Sequence, residues 1–190
     1  MQPTGHGLER KFCRFDEGVV MTDGQEIEGY ASLFGSIDQG GDVVAKGAYA
    51  ASLQRLAETG RRVKLLWQHD PAQPIGIWTE VREDARGLYV KGRLLAEVEK
   101  GREAARLIEA GAIDGLSIGY RTIRASRDGE GRRVLSELDL WEVSLVTFPM
   151  LPGARLAPPV AAKSEETAEA DLRDLAGVLR QARHVLAGQS

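Results

Sequence analysis

The chain has a single cysteine, Cys13. It can close no internal disulfide, and a reducing compartment is the simplest setting. Long apolar runs are also missing: none approaches the roughly 18 residues that a membrane-spanning helix needs. Residues 1–11 contain no apolar h-region, so a secretory signal peptide is not expected. The net charge is −3, which gives no electrostatic basis for general binding of nucleic acid or membrane surfaces. Histidine is scarce, with three in 190 residues. His6 and His184 lie in stretches that read as leader and tail, which leaves His69 as the candidate imidazole base. What is present is ordinary for a globular protein, with 43% hydrophobic and 28% charged residues. The length suits one domain with a sizeable core, plus a tail.

Residues 1–10 read as a flexible leader, and Lys11 to Phe15 as a short strand. Glu26 to Phe34 alternates as a strand, with Ile27, Ala31 and Leu33 on one face. Ala48 to Glu58 has a helical stripe of Tyr49, Leu53 and Leu56, stopped at Gly60. Val63 to His69 reads as a strand ended by Asp70-Pro71, because the proline ring cannot donate to a ladder. Ile75 to Arg82 and Leu88 to Leu95 read as a strand pair about the turn Glu83 to Gly87. Glu99 to Ala110 reads as a helix with Ala104, Leu107 and Ile108 inward and Gly111 beyond its end. Leu116 to Arg124 and Val134 to Phe148 read as the last strands.

About seven strands with two intervening helices imply an α+β, mainly β architecture, a barrel or a sandwich. The absent βαβα rhythm argues against a doubly wound parallel sheet. The folded domain is expected over residues 11–156. A Pro/Ala linker follows at 157–163, within the proline-containing stretch Leu151 to Lys163. Residues 164–190 read as a final helix with the stripe Leu172, Leu175, Leu179 and Leu186. That helix is expected either to dock on its own domain or to serve a partner.

Three segments carry chemistry: Trp67-Gln68-His69-Asp70, Gly115-Leu116-Ser117-Ile118-Gly119-Tyr120 and Leu140-Trp141-Glu142-Val143-Ser144-Leu145. They supply a histidine, a serine and a carboxylate, the parts of a nucleophilic hydrolase. Alternation puts His69 on the face of Val63, Leu65 and Trp67. Ser117 lies between Gly115 and Gly119, whose missing side chains leave room for a substrate. Leu116, Ile118 and Tyr120 face the core. Glu142 shares its face with Leu138, Leu140 and Ser144, in a strand apolar on both sides. A carboxylate there needs a strong partner, either the His69 imidazolium or an arginine such as Arg121. Asp139 is the runner-up for the orienting acid. Residues 115–119 also match G-x-S-x-G, but a nucleophile elbow needs a parallel sheet and a histidine after the serine. Here the only later histidine is His184.

The blocks, taken in order, resemble the HK97-type prohead proteases of tailed phages and gene-transfer agents. The resemblance runs from about Ile27 to Leu156. It rests on Gly29-Tyr30-Ala31, Gly41-Asp42-Val43-Val44, Gly47-Ala48-Tyr49, the three segments above and Thr147-Phe148-Pro149. It implies a closed, mostly antiparallel β-barrel wrapped by helices, like that of the herpesvirus assembly proteases. It also implies a catalytic set of Ser117, His69 and Glu142, with Glu142 where the herpesvirus enzymes use a second histidine. Those enzymes place an arginine pair after the third member. This chain has only Arg155 there, and the backbone amides near Leu151 to Gly153 are the remaining candidates for oxyanion donors.

The expected activity is that of a serine endopeptidase without metal or cofactor. The expected substrate is the scaffold-like segment of the major capsid protein, together with the enzyme itself. The expected setting is the procapsid in the bacterial cytoplasm, with the shell and the portal as contacts and self-association as a further expectation. Two other classes stay open: a catalytically silent capsid-assembly protein, and an unrelated serine esterase or amidase.

Overall fold

The computed structural model describes residues 9–13, 20–22 and 25–148. All belong to the unit from Met1 to Pro159. The linker, the final helix and the Leu151–Gly153 amides lie outside the described residues, as do residues 1–8 of the expected leader. Glu9 and Arg10 are not leader; they begin a strand.

In chain order the elements are β1 (Glu9–Cys13), β2 (Val20–Thr22), β3 (Glu26–Leu33), β4 (Asp42–Val44), α1 (Ala50–Glu58), β5 (Lys64–Trp67), β6 (Asp70–Glu83), β7 (Gly87–Leu94), α2 (Glu99–Glu109), β8 (Gly115–Arg127) and β9 (Arg133–Val146). Both helices stop where the sequence predicts. Gly60 and Gly111 follow them with φ of +63° and +67°, the left-handed conformation that glycine adopts without Cβ strain. The β6–β7 turn is built on Asp84. Its carboxylate accepts from the backbone N–H groups of Arg86 and Gly87 at 2.8 and 3.1 Å. The Tyr30 hydroxyl donates to it at 2.7 Å. Burial works against its ionisation, but these bonds and Arg82 outweigh that cost and hold its pKa at about 2, below the ordinary 3.8.

Eight of the strands form one ladder in the order β1-β8-β9-β5-β6-β7-β3-β2, and β4 joins β9. Most pairs are antiparallel; β4–β9 and β5–β9 are parallel. The expected closed barrel is therefore corrected to a curled, open sheet. Its end strands, β1 and β2, have five and three residues, and each is paired to a single neighbour, so the ladder does not return on itself. The strand count is higher than expected because β2 and β4 are too short to show as periodic runs.

The core includes Ile27, Leu65, Ile75, Leu88 and Val90, together with Leu116, Ile118 and Tyr120 of β8. On β9 it takes Leu138 and Leu140, then Val143 and Leu145. The parity changes between those pairs because Gly119 is opposite Glu142 and Tyr120 opposite Leu140, leaving Trp141 as an extra residue. This is a β-bulge, which re-aims the strand beyond it. It overturns the placing of Glu142 on the face of Leu138 and Leu140, since strict alternation cannot anticipate an inserted residue. Before Glu142, the β9 edge turned away from β8 meets the start of α1. Leu138 N–H donates to the Ala48 carbonyl at 2.8 Å, and Leu140 N–H to Ser52 Oγ at 2.9 Å.

Candidate active site

β9 lies between β8 and β5 and carries the register of the site. Ser144 is opposite Ser117 on one side and Leu66 on the other. Glu142 is opposite Gly119 and Lys64 in the same way. Directly opposed residues point to one face, with Cβ atoms about 4.5–5.5 Å apart. Ser117, Ser144 and Glu142 therefore share the face turned away from Leu116, Ile118, Val143 and Leu145.

His69 reaches this face by a route that alternation did not foresee. β5 ends at Trp67, which pairs with Asp70 of β6. Gln68 and His69 are the two central residues of a hairpin turn, with φ of +51° and +61°. Positive φ at both positions is the mark of a type I′ turn, which normally calls for Asn-Gly. His69 is thus not the last residue of a strand, and its placing with Val63, Leu65 and Trp67 is corrected. Asp70-Pro71 does not end the strand region either. β6 begins at Asp70, and the register break between Trp67–Asp70 and Leu66–Pro74 accommodates Pro71 as a bulge.

Left-handed backbone at two non-glycine residues costs on the order of 1–3 kcal/mol each, and persists only where surroundings over-determine it. Here the surroundings are β9. Gln68 N–H donates to the Leu145 carbonyl at 2.9 Å. The Gln68 side-chain amide donates to Thr147 Oγ1 at 2.7 Å. His69 N–H donates to Ser144 Oγ at 3.2 Å.

The imidazole and the carboxylate meet directly: His69 Nδ1 is 2.5 Å from Glu142 Oε1. The other oxygen, Oε2, accepts from Ser144 Oγ at 2.5 Å. His69, Glu142 and Ser117 are 5%, 3% and 0% exposed, so the His69–Glu142 pair works in a low-dielectric setting, where such bonds gain strength. With Nδ1 facing the carboxylate, Nε2 is the ring nitrogen turned away from it. Gly119 also has a different role from the one its sequence position implies. A Cβ there would overlap the Glu142 carboxylate, so the space is filled by that side chain and not by substrate.

Arg121 pairs with Asp139, not with Glu142. Asp139 also binds Arg55 at 3.1 Å and the Trp141 indole N–H at 2.9 Å. Burial of Asp139 opposes its charge, but these partners prevail and lower its pKa. Among the described residues no group of three His, Cys, Asp or Glu side chains could hold a metal ion.

Among solved structures, the bacteriophage T4 capsid assembly protease is similar, with a TM-score of 0.54. The match covers 75% of this chain and 95% of that one, at 20% identity, and speaks for the fold. The match defines a shared mainly β fold. The family model of the caudovirus prohead serine protease matches residues 14–170, and the chain belongs to that family. The prohead protease of Enterobacteria phage HK97 is 31% identical over 177 residues, 90% of this chain and 76% of that protein. A capsid polyprotein of Pseudomonas phage PAJU2 is 34% identical over 95 residues, 46% of this chain and 14% of that protein. Family membership makes the chain a phage serine protease of capsid maturation.

Proposed function

We propose that Ser117, His69 and Glu142 are the catalytic set of this protease. Ser117 Oγ attacks the scissile carbonyl and forms an acyl-enzyme. His69 takes the serine proton at Nε2 and returns it to the leaving amine; water then hydrolyses the ester by the same relay. Glu142 fixes the tautomer of His69 and stabilises its imidazolium. The observation that carries this reading is the buried 2.5 Å bond between His69 Nδ1 and Glu142 Oε1, one strand from Ser117. Ser117 is wholly buried in this structure.

The substrate in this reading is the scaffold-like segment of the major capsid protein, cut inside the procapsid in the host cytoplasm. The names of the HK97 and PAJU2 relatives support it. Self-cleavage within the proline-containing stretch 151–163 belongs to the same reading. The test is co-expression with the major capsid protein, followed by its intact mass. Shortened capsid protein with wild type, and full-length protein with Ser117→Ala, is the expected result. Full-length protein in both cases, with shells assembled, would overturn it in favour of a silent assembly factor.

A further inference from the structure

We propose that Ser144 is a positioning residue: its single hydroxyl locks the His69 backbone and the Glu142 carboxylate to each other. This rests on the reading of Ser117, His69 and Glu142 as the catalytic set. Ser144 is completely buried, where a bare hydroxyl is costly. A hydroxyl has one proton to give and lone pairs to receive. Ser144 gives its proton to Glu142 Oε2 and receives the N–H of His69. The first bond fixes the rotation of the carboxylate whose other oxygen grips the imidazole. The second takes up the N–H of His69, in the turn beyond the end of the β5–β9 ladder. The backbone of His69 is thus tied to Ser144 directly, and its ring to Ser144 through Glu142.

The same contacts keep Ser144 apart from the nucleophile. Its proton faces a carboxylate and its oxygen a backbone amide, whereas a nucleophilic serine needs its proton aimed at an imidazole nitrogen. Ser144 and Ser117, paired across β8 and β9, are therefore two serines with different work. Donation to Oε2 also draws charge from Glu142 and moderates the pull of Oε1 on the Nδ1 proton.

The variants Ser144→Ala and Ser144→Thr of the full chain test this, with two readouts. The first is acylation by a fluorophosphonate probe, resolved into kinact and KI. Ser144→Ala is expected to lower kinact by about 10- to 100-fold with KI unchanged, the range found when a group that orients a catalytic ligand is removed. Ser144→Thr keeps the hydroxyl and is expected to recover most of kinact. In a Glu142→Gln background, Ser144→Ala should add little, because both act through one carboxylate. The second readout is the downfield proton resonance of His69 Nδ1–H, expected to shift in Ser144→Ala and to vanish in Glu142→Gln. Wild-type kinact and an unshifted resonance in Ser144→Ala would overturn the proposal. So would a full multiplicative loss in the Glu142→Gln background, which marks a merely structural serine. Labelling that persists in Ser117→Ala would instead overturn the catalytic set itself.

Discussion

Gly119 decides where the Glu142 carboxylate lies. Any side chain at that position meets the carboxylate head-on, and the carboxylate is the movable party. Gly119→Ala is therefore expected to keep the fold and to break the His69–Glu142 bond. Peptidase activity should fall toward that of Glu142→Gln, for which an orienting acid predicts a loss on the order of 10⁴-fold in kcat. Near-wild-type turnover in Gly119→Ala would show that the carboxylate is not needed where it stands. Far from the site, Asp84 makes a separate prediction. Its folded pKa is lowered, so its contribution to stability is complete above about pH 3.8 and is lost as pH falls through about 2. In denaturant titrations across that window, Asp84→Asn should lose less stability with falling pH than the wild type. His69, Ser117 and Glu142 were legible in the sequence as candidates, and the structure pairs His69 with Glu142. The roles of Ser144 and Gly119 were not, because each depends on the residue opposite it in another strand.

Two irregular elements create the geometry, and neither follows from periodicity. The β5–β6 hairpin turns on Gln68-His69, a dipeptide without the glycine or asparagine that marks such turns. Pro71 was accordingly read as an ending, when it lies in a bulge of the returning strand. The β9 bulge at Trp141 shifts Glu142 out of the row of Leu138 and Leu140 and toward Gly119. Strand existence was legible over Glu26 to Phe34 and in the two last strands, where alternation is long; the bulge within it was not. The β9 edge just before that bulge is supported by Ser52, which takes the Leu140 N–H inside the protein. Ser52→Ala leaves that donor buried without its acceptor, at a cost of about 1–3 kcal/mol. Urea unfolding should report that loss, and a change within error would mean that water or a shifted helix replaces the hydroxyl.

At the scale of the molecule, the pairings that matter join distant parts of the chain. β5 runs beside β9, with Lys64 opposite Glu142 and Trp67 opposite Leu145. Chains dominated by such non-local pairing fold on the order of milliseconds to seconds, slower than helical bundles. In refolding from denaturant, peptidase activity is expected to return with the last fluorescence phase of the tryptophans, not before it. Activity ahead of that phase would mean that the site forms without β9. The general class, mainly β with two helices among the described residues, was legible from the rhythm of strands and helices, and the family from the order of its blocks. Openness of the sheet was not, because it depends on whether β1 and β2 meet, and strand patterns do not encode that.

The placing of the acid on β9 has a consequence in time. A ribosome emits His69 first and Ser117 next, while Glu142 and Ser144 come on the last of the described strands. Until that strand slides between its two neighbours, the imidazole has no carboxylate and the left-handed turn has nothing to hold it. The nascent chain thus carries His69 before the carboxylate that His69 meets in the folded protein. The pairing of His69 with Glu142 is therefore among the last features of the described fold to be complete.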